Sequence, residues 1–143
     1  MQPLDLILLI DDDETTNYVN HRTLQRTKAA HEIKIFTDGE QAIRYLQNAA
    51  CEPGQNGQEK CPDMIFLDIK MPIMDGFEFL ETYKNLGLNV AAPTKIMMLT
   101  SSASFYDLKR LETYNEVKRH FSKPLADQDI KEIIREYFPE KAN

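Results

Sequence analysis

Five short strand-like runs, each followed by a helix-like segment, recur along the chain. That alternation limits the possible folds more than any other feature. The runs are Leu4–Ile10, Glu32–Phe36, Met64–Leu67, Lys95–Leu99 and Val117–Phe121. The helical segments are Thr15–Thr27, Gly39–Asn48, Phe77–Lys84, Phe105–Tyr114 and Asp127–Phe138. The last is the clearest, with Ile130, Ile133, Ile134 and Tyr137 at i, i+3, i+4 and i+7. In the second, Ala42, Ile43 and Leu46 point inward, and Ser104-x-x-Asp107 has the spacing of a reciprocal helix cap. Thr15–Thr27 is polar and only weakly amphipathic. Regular alternation of this kind predicts an α/β fold: a parallel five-stranded sheet, right-handed crossovers, helices on both faces. The chain of 143 residues fits one domain, 1–143, with its core over about residues 4–138. Ala49–Pro62 interrupts the rhythm and is long for a connection in such a fold. A disordered excursion and a contact loop both remain open for it.

Composition removes several function classes. A net charge of −6 argues against nucleic acid, which demands a basic face to displace counterions. Short clusters such as Lys118-Arg119-His120 read as solvated surface, as do His21 and His31. No apolar run approaches a membrane span, and Leu6–Ile10 is stopped by three aspartates, so a cytoplasmic location is expected. Cys51 and Cys61 lack a second Cys/His pair for a zinc site. In that compartment they are expected to be free thiols.

The chemistry gathers after the strands. The first run ends in Asp11-Asp12-Asp13, the third in Asp68, the fourth in Thr100-Ser101-Ser102, the fifth in Ser122-Lys123-Pro124. Open α/β sheets bind ligands beyond the carboxyl ends of their strands. Taken singly, each group has a bland reading as a turn acid, a helix cap or a solvated lysine. Four strand ends converging on one edge, and a carboxylate closing a buried strand, weaken that reading. Three carboxylates in one pocket need a counter-charge. A hard divalent cation supplies it, and Mg²⁺ on carboxylates, waters and a phosphate is the usual form. Lys123 adds a second cation. An aspartate so placed can attack a phosphoryl group to give an acyl phosphate, with cations and a hydroxyl neutralising the equatorial oxygens. The pattern is that of a phosphoryl-acceptor site.

The motifs Leu-Leu-Ile-Asp-Asp-Asp at 8–13, Phe-Leu-Asp-Ile-Lys-Met-Pro-Ile-Met-Asp-Gly at 66–76, Met-Leu-Thr-Ser-Ser at 98–102 and Phe-Ser-Lys-Pro-Leu at 121–125 carry a resemblance. Over essentially the whole chain the sequence resembles the receiver domains of two-component response regulators. The resemblance implies a (βα)5 flavodoxin-like, doubly wound sheet of strand order 2-1-3-4-5. It implies Asp68 as phospho-acceptor, Asp12 as direct metal ligand, Asp11 acting on the metal's water shell, and the Lys70 backbone carbonyl as a further ligand. The metal would be Mg²⁺, with Mn²⁺ as a substitute. Thr100 would follow the phosphoryl group, Lys123 would pair with it, and Pro124 would follow a cis peptide bond. Asp13 is left to cap the first helix. The phosphoryl donor would be a sensor histidine kinase or a histidine phosphotransfer protein. Beyond self-catalysed phosphorylation and dephosphorylation no enzyme activity is implied. A stand-alone regulator without an output domain is expected, signalling to a protein partner or by self-association through its fourth helix, fifth strand and fifth helix. One position departs: the family commonly has Tyr or Phe three residues before the lysine, and here stands His120. As a switch residue relaying the state of Thr100, a polar ring is costlier to bury.

Three other readings compete with this one. Asp11-x-Asp13-x-Thr15 matches the nucleophile motif of haloacid-dehalogenase-type phosphatases. That family needs a further acid pair at a strand end after the lysine, whereas Asp127 and Asp129 open a helix, and it leaves Asp68 unexplained. A degenerate docking receiver would have lost the acceptor, the metal acids or the lysine, and all are present. A fragment of a larger regulator or hybrid kinase is the third.

Overall fold

The computed structural model describes residues 2–51, 57–88, 94–101 and 104–142. Five strands and five helices alternate: β1 (Leu4–Ile10), α1 (Glu14–Arg26), β2 (Ala30–Phe36), α2 (Gly39–Gln47), β3 (Met64–Asp68), α3 (Gly76–Asn85), β4 (Lys95–Thr100), α4 (Phe105–Leu111), β5 (Val117–Ser122) and α5 (Asp127–Tyr137). They form one parallel sheet of order β2-β1-β3-β4-β5, the predicted flavodoxin-like winding. The winding direction reverses at β1, so the crevice beyond the β1 and β3 ends is the natural ligand site.

Apart from Asp5, Lys95 and the site residues Asp68 and Thr100 at their ends, the central strands are apolar because both of their faces are covered. Leu6, Leu8 and Ile10 of β1 and Ile65 and Leu67 of β3 pack toward α2, α3 and α4. Ile7 and Leu9 of β1 and Met64 and Phe66 of β3 pack toward α1 and α5. The edge strand β5 alternates instead, with Lys118 and His120 exposed and Phe121 buried. Helix α1 buries Asn17, Asn20, Thr23 and Leu24, and this polar inner face explains its weak amphipathicity.

Helix starts follow the expected chemistry. Asp13 caps α1, accepting from the Thr16 amide at 3.3 Å and pairing with the Thr16 hydroxyl. Ser104 and Asp107 bond each other's backbone N–H groups at 3.0 and 3.3 Å, as their spacing predicted. Helix α4 stops at Leu111, short of Tyr114, whose hydroxyl instead donates to Glu81 at 2.6 Å.

The free-thiol expectation for Cys51 and Cys61 is overturned, because the two form a disulfide. Ala49–Ala50 and Glu59–Lys60 pair as a two-residue parallel ladder. That ladder brings the loop ends together, to a Cα–Cα distance of 5.0 Å that a disulfide can bridge. An argument from compartment had no access to this geometry. The loop tip, with Pro53 and Gly54, lies outside the described residues. Among the described residues no helix is long and apolar enough to cross a membrane.

Candidate functional site

The carboxyl ends of β1, β3, β4 and β5 open into one cleft lined by Asp11, Asp12, Asp13, Asp68, Lys70, Thr100, Ser101, Lys123 and Pro124, with α1's Thr15, Thr16 and Val19 at its side. Ser102 lies outside the described residues. Carboxylate oxygens of Asp11, Asp12 and Asp68 all lie within 4.8 Å of one another. Asp11 and Asp68 are buried, and Asp12 is exposed to the cleft.

Each group is held by its strand end. The Asp11 N–H donates to the Phe36 carbonyl at 3.1 Å, extending the β1–β2 ladder by one step. The Asp13 N–H donates to Asp11 Oδ1 at 3.0 Å, and Asn17 Nδ2 donates to the Asp11 carbonyl at 2.7 Å. The Lys123 N–H donates to the Thr100 carbonyl at 3.0 Å, and the Lys123–Pro124 bond is cis.

The loop after β3 is compact for stated reasons. Pro72–Met74 closes as a γ-turn, with the Met74 N–H on the Pro72 carbonyl at 2.7 Å and Ile73 at φ +70°. Asp75 caps α3 through the Glu78 amide at 2.8 Å. Gly76 then packs on the end of β3: a Cβ there would stand 2.7 Å from the Asp68 carbonyl oxygen and 2.9 Å from Ile69 Cα. Pro72, Asp75 and Gly76 thus hold the backbone around Asp68.

Charge is the dominant feature. Lys123 Nζ lies 2.6 Å from Asp11 Oδ2 and 3.0 Å from Asp68 Oδ1. Burial pushes the Asp68 carboxyl up to about 6; the Asp11 charge adds to this, and Lys123 opposes it. Burial works against the Lys123 ammonium, but its bonds to Asp11 and Asp68 win and hold its pKa above the ordinary value. Lys123 therefore pairs with two of the three clustered carboxylates, Asp11 and Asp68. All-oxygen donors, an excess of negative charge and an open side match what a hard divalent ion requires.

His120 is exposed on β5, paired in register with Met98. Thr100 pairs with Ser122 two residues further along the same strands. Side chains two apart share a face, so Thr100 and His120 lie on the same side of the sheet, the side of α4. Sequence reasoning missed the two buried asparagines of α1. Their signal was the polar run Asn17-x-x-Asn20 at helical spacing.

A family model described as the response regulator receiver domain matches residues 7–135. The probable methanogenesis regulatory protein FilR2 of Methanothrix harundinacea is 30% identical over 131 residues, 92% of this chain and 79% of that one. Sporulation initiation phosphotransferase F of Bacillus subtilis is 30% identical over 84 residues, 57% of this chain and 62% of that protein. A two component response regulator from Cytophaga hutchinsonii superposes with a TM-score of 0.82 at 26% identity, covering 96% of this chain and 99% of that one.

Proposed function

Because this chain belongs to the response regulator receiver family, we propose that Asp68 is its phosphoryl acceptor and that Asp11, Asp12, Asp68 and the Lys70 carbonyl hold a Mg²⁺ ion. Receiver domains work in two-component signalling, paired with histidine kinases or phosphotransfer proteins, and are signalling domains rather than metabolic enzymes. The observation that carries the site assignment is the shared lysine: Lys123 lies within 3.0 Å of both Asp11 and Asp68, the carboxylate that closes the buried strand β3.

Bound Mg²⁺ would neutralise phosphoryl oxygens and the surplus carboxylate charge, and Mn²⁺, with similar ligand preferences, is expected to substitute. This chain's own residues supply the rest. An Asp68 oxygen forms the new P–O bond as the P–N bond of a phosphohistidine breaks, its electron pair returning to the imidazole. Lys123, released from Asp68, pairs with the transferred group, and the Thr100 hydroxyl donates to another of its oxygens. The pull on Thr100 favours one of two arrangements of α4 and β5, with His120 reporting the change at the surface. The face of α4, β5 and α5 would then meet a protein partner or a second copy.

A small phosphoramidate donor with Mg²⁺ should add one phosphoryl mass to the intact chain. The adduct should vanish with EDTA and in Asp68→Asn. An adduct surviving Asp68→Asn would refute the assignment. Lys123→Ala should still bind metal but form the adduct poorly.

A further inference from the structure

Helix α1 turns two buried amides toward the site, and neither is used as good packing would use it. Asn17 and Asn20 are 3% and 1% exposed, one turn apart on the same helical face. Asn17 Nδ2 donates to the Asp11 carbonyl at 2.7 Å. Asn20 Oδ1 accepts from the Leu125 N–H at 2.8 Å, just beyond Lys123 and Pro124. The other amide atoms, Asn17 Oδ1 and Asn20 Nδ2, have no hydrogen-bond partner among the described residues. Half-satisfied buried amides cost stability, and apolar residues of similar shape would usually serve a core better. What the amides do provide is placement.

We propose that Asn17 and Asn20 are positioning residues: a two-point clamp by which α1 fixes the acid loop after β1 and the lysine loop after β5 at one separation. The two loops are remote in sequence, and their charged tips, Asp11 and Lys123, meet at 2.6 Å. Thr23 reinforces the second point, its hydroxyl reaching the Leu125 carbonyl at 3.3 Å. The clamp divides the labour. Asn17 orients the backbone of an acid of the metal site, next to the direct ligand Asp12, whereas Asn20 sets where the phosphoryl-pairing lysine begins. This inference rests on the Asp68 reading above.

The test uses the full chain with Asn17→Leu, Asn20→Leu, Asn20→Asp and, as a purely apolar control on the same helix, Leu24→Ala. Three readouts are taken: Mg²⁺ affinity of the metal-free protein by calorimetry, phosphoramidate labelling rate at saturating Mg²⁺, and urea stability. Asn17→Leu should weaken Mg²⁺ binding about tenfold, the low end for groups that orient a metal ligand. Asn20→Leu should leave Mg²⁺ affinity within about twofold yet slow labelling roughly tenfold, as a small misplacement of a charged group does. Asn20→Asp keeps the acceptor for the Leu125 N–H and should recover most of the rate. Leu24→Ala should lower stability while leaving affinity and rate unchanged. Should either leucine variant fail to fold, the alanine variant at that position is read instead. Asparagine variants that behave like Leu24→Ala would overturn the clamp, and so would an effect confined to one of the two positions. A wild-type chain that binds Mg²⁺ but takes no phosphoryl group on Asp68 overturns the parent reading alone, because the Mg²⁺ measurement still decides Asn17. A wild type that binds no Mg²⁺ overturns both.

Discussion

Lys123 Nζ stands 3.0 Å from Asp68 Oδ1 although β4 separates their strands in the sheet. The ammonium reaches across the end of β4, beside Thr100, and also meets Asp11. A buried carboxylate, its counter-ion and a hydroxyl-bearing strand end are thereby fixed before any ligand arrives. Such preorganisation lowers the cost of stabilising developing charge.

The metal-free site should be electrostatically unhappy at neutral pH. Asp68 is raised from 3.8 to about 6 in the fold, so the folded state holds the proton more tightly than the unfolded chain. Its contribution to stability is complete below about pH 4 and is lost as pH rises through about 6. In EDTA, Asp68→Asn should therefore stabilise the protein by about 1–3 kcal/mol at pH 7.5 and by roughly a third of that at pH 4.5. Urea unfolding at the two pH values measures this, and equal shifts at both would contradict it.

Asp12 and Asp13 are neighbours with different jobs. Asp12 belongs to the carboxylate cluster, while Asp13 is engaged as the α1 cap with Thr16. Asp12→Asn should weaken Mg²⁺ binding at least tenfold, whereas Asp13→Asn, whose amide oxygen can still cap α1, should leave it little changed, and Asp13→Ala should cost about 1 kcal/mol of stability. Equal losses of affinity in calorimetric titrations would show that the register of the three aspartates is misread.

The strands and the cleft were legible because four of the five strands end in the chemistry that marks the site. Apolar runs closed by Asp11, Asp68, Thr100 and Lys123 gave both the sheet and its functional edge. Helix α1 was harder to read. Its inner face is Asn17, Asn20 and Thr23, so hydrophobic periodicity along the helix is faint. The disulfide was hidden for another reason. Its formation depends on the Ala49–Ala50 and Glu59–Lys60 ladder, and two-residue strands leave no periodic trace in a sequence.

The Cys51–Cys61 bond closes a short loop joining α2 to β3, at the opposite end of β3 from Asp68. Restricting a loop of this size in the unfolded chain stabilises by about 2–3 kcal/mol. The Cys51→Ser, Cys61→Ser double variant should lose about that much in urea while keeping Mg²⁺ affinity unchanged. A large fall in affinity would mean the loop is coupled to the site.

Thr100 and His120 lie on one face of adjacent strands beneath α4. A beryllofluoride phosphoryl mimic should therefore perturb amide signals in Ser104–Asp107 and Lys118–Lys123 more than those in the last two turns of α1. The His120→Ala variant should shrink the response in Lys118–Lys123. Perturbation confined to the Asp68 loop would reject this relay.

Borohydride trapping tests the acceptor assignment most directly, because it reduces an aspartyl phosphate to homoserine and so marks the residue that carried it. After labelling with phosphoramidate and Mg²⁺, peptide sequencing by mass should find homoserine at position 68 and unmodified aspartate at positions 11, 12 and 13. Homoserine at position 11 would instead support the phosphatase-type reading, and with conversion at any site other than Asp68 the account fails.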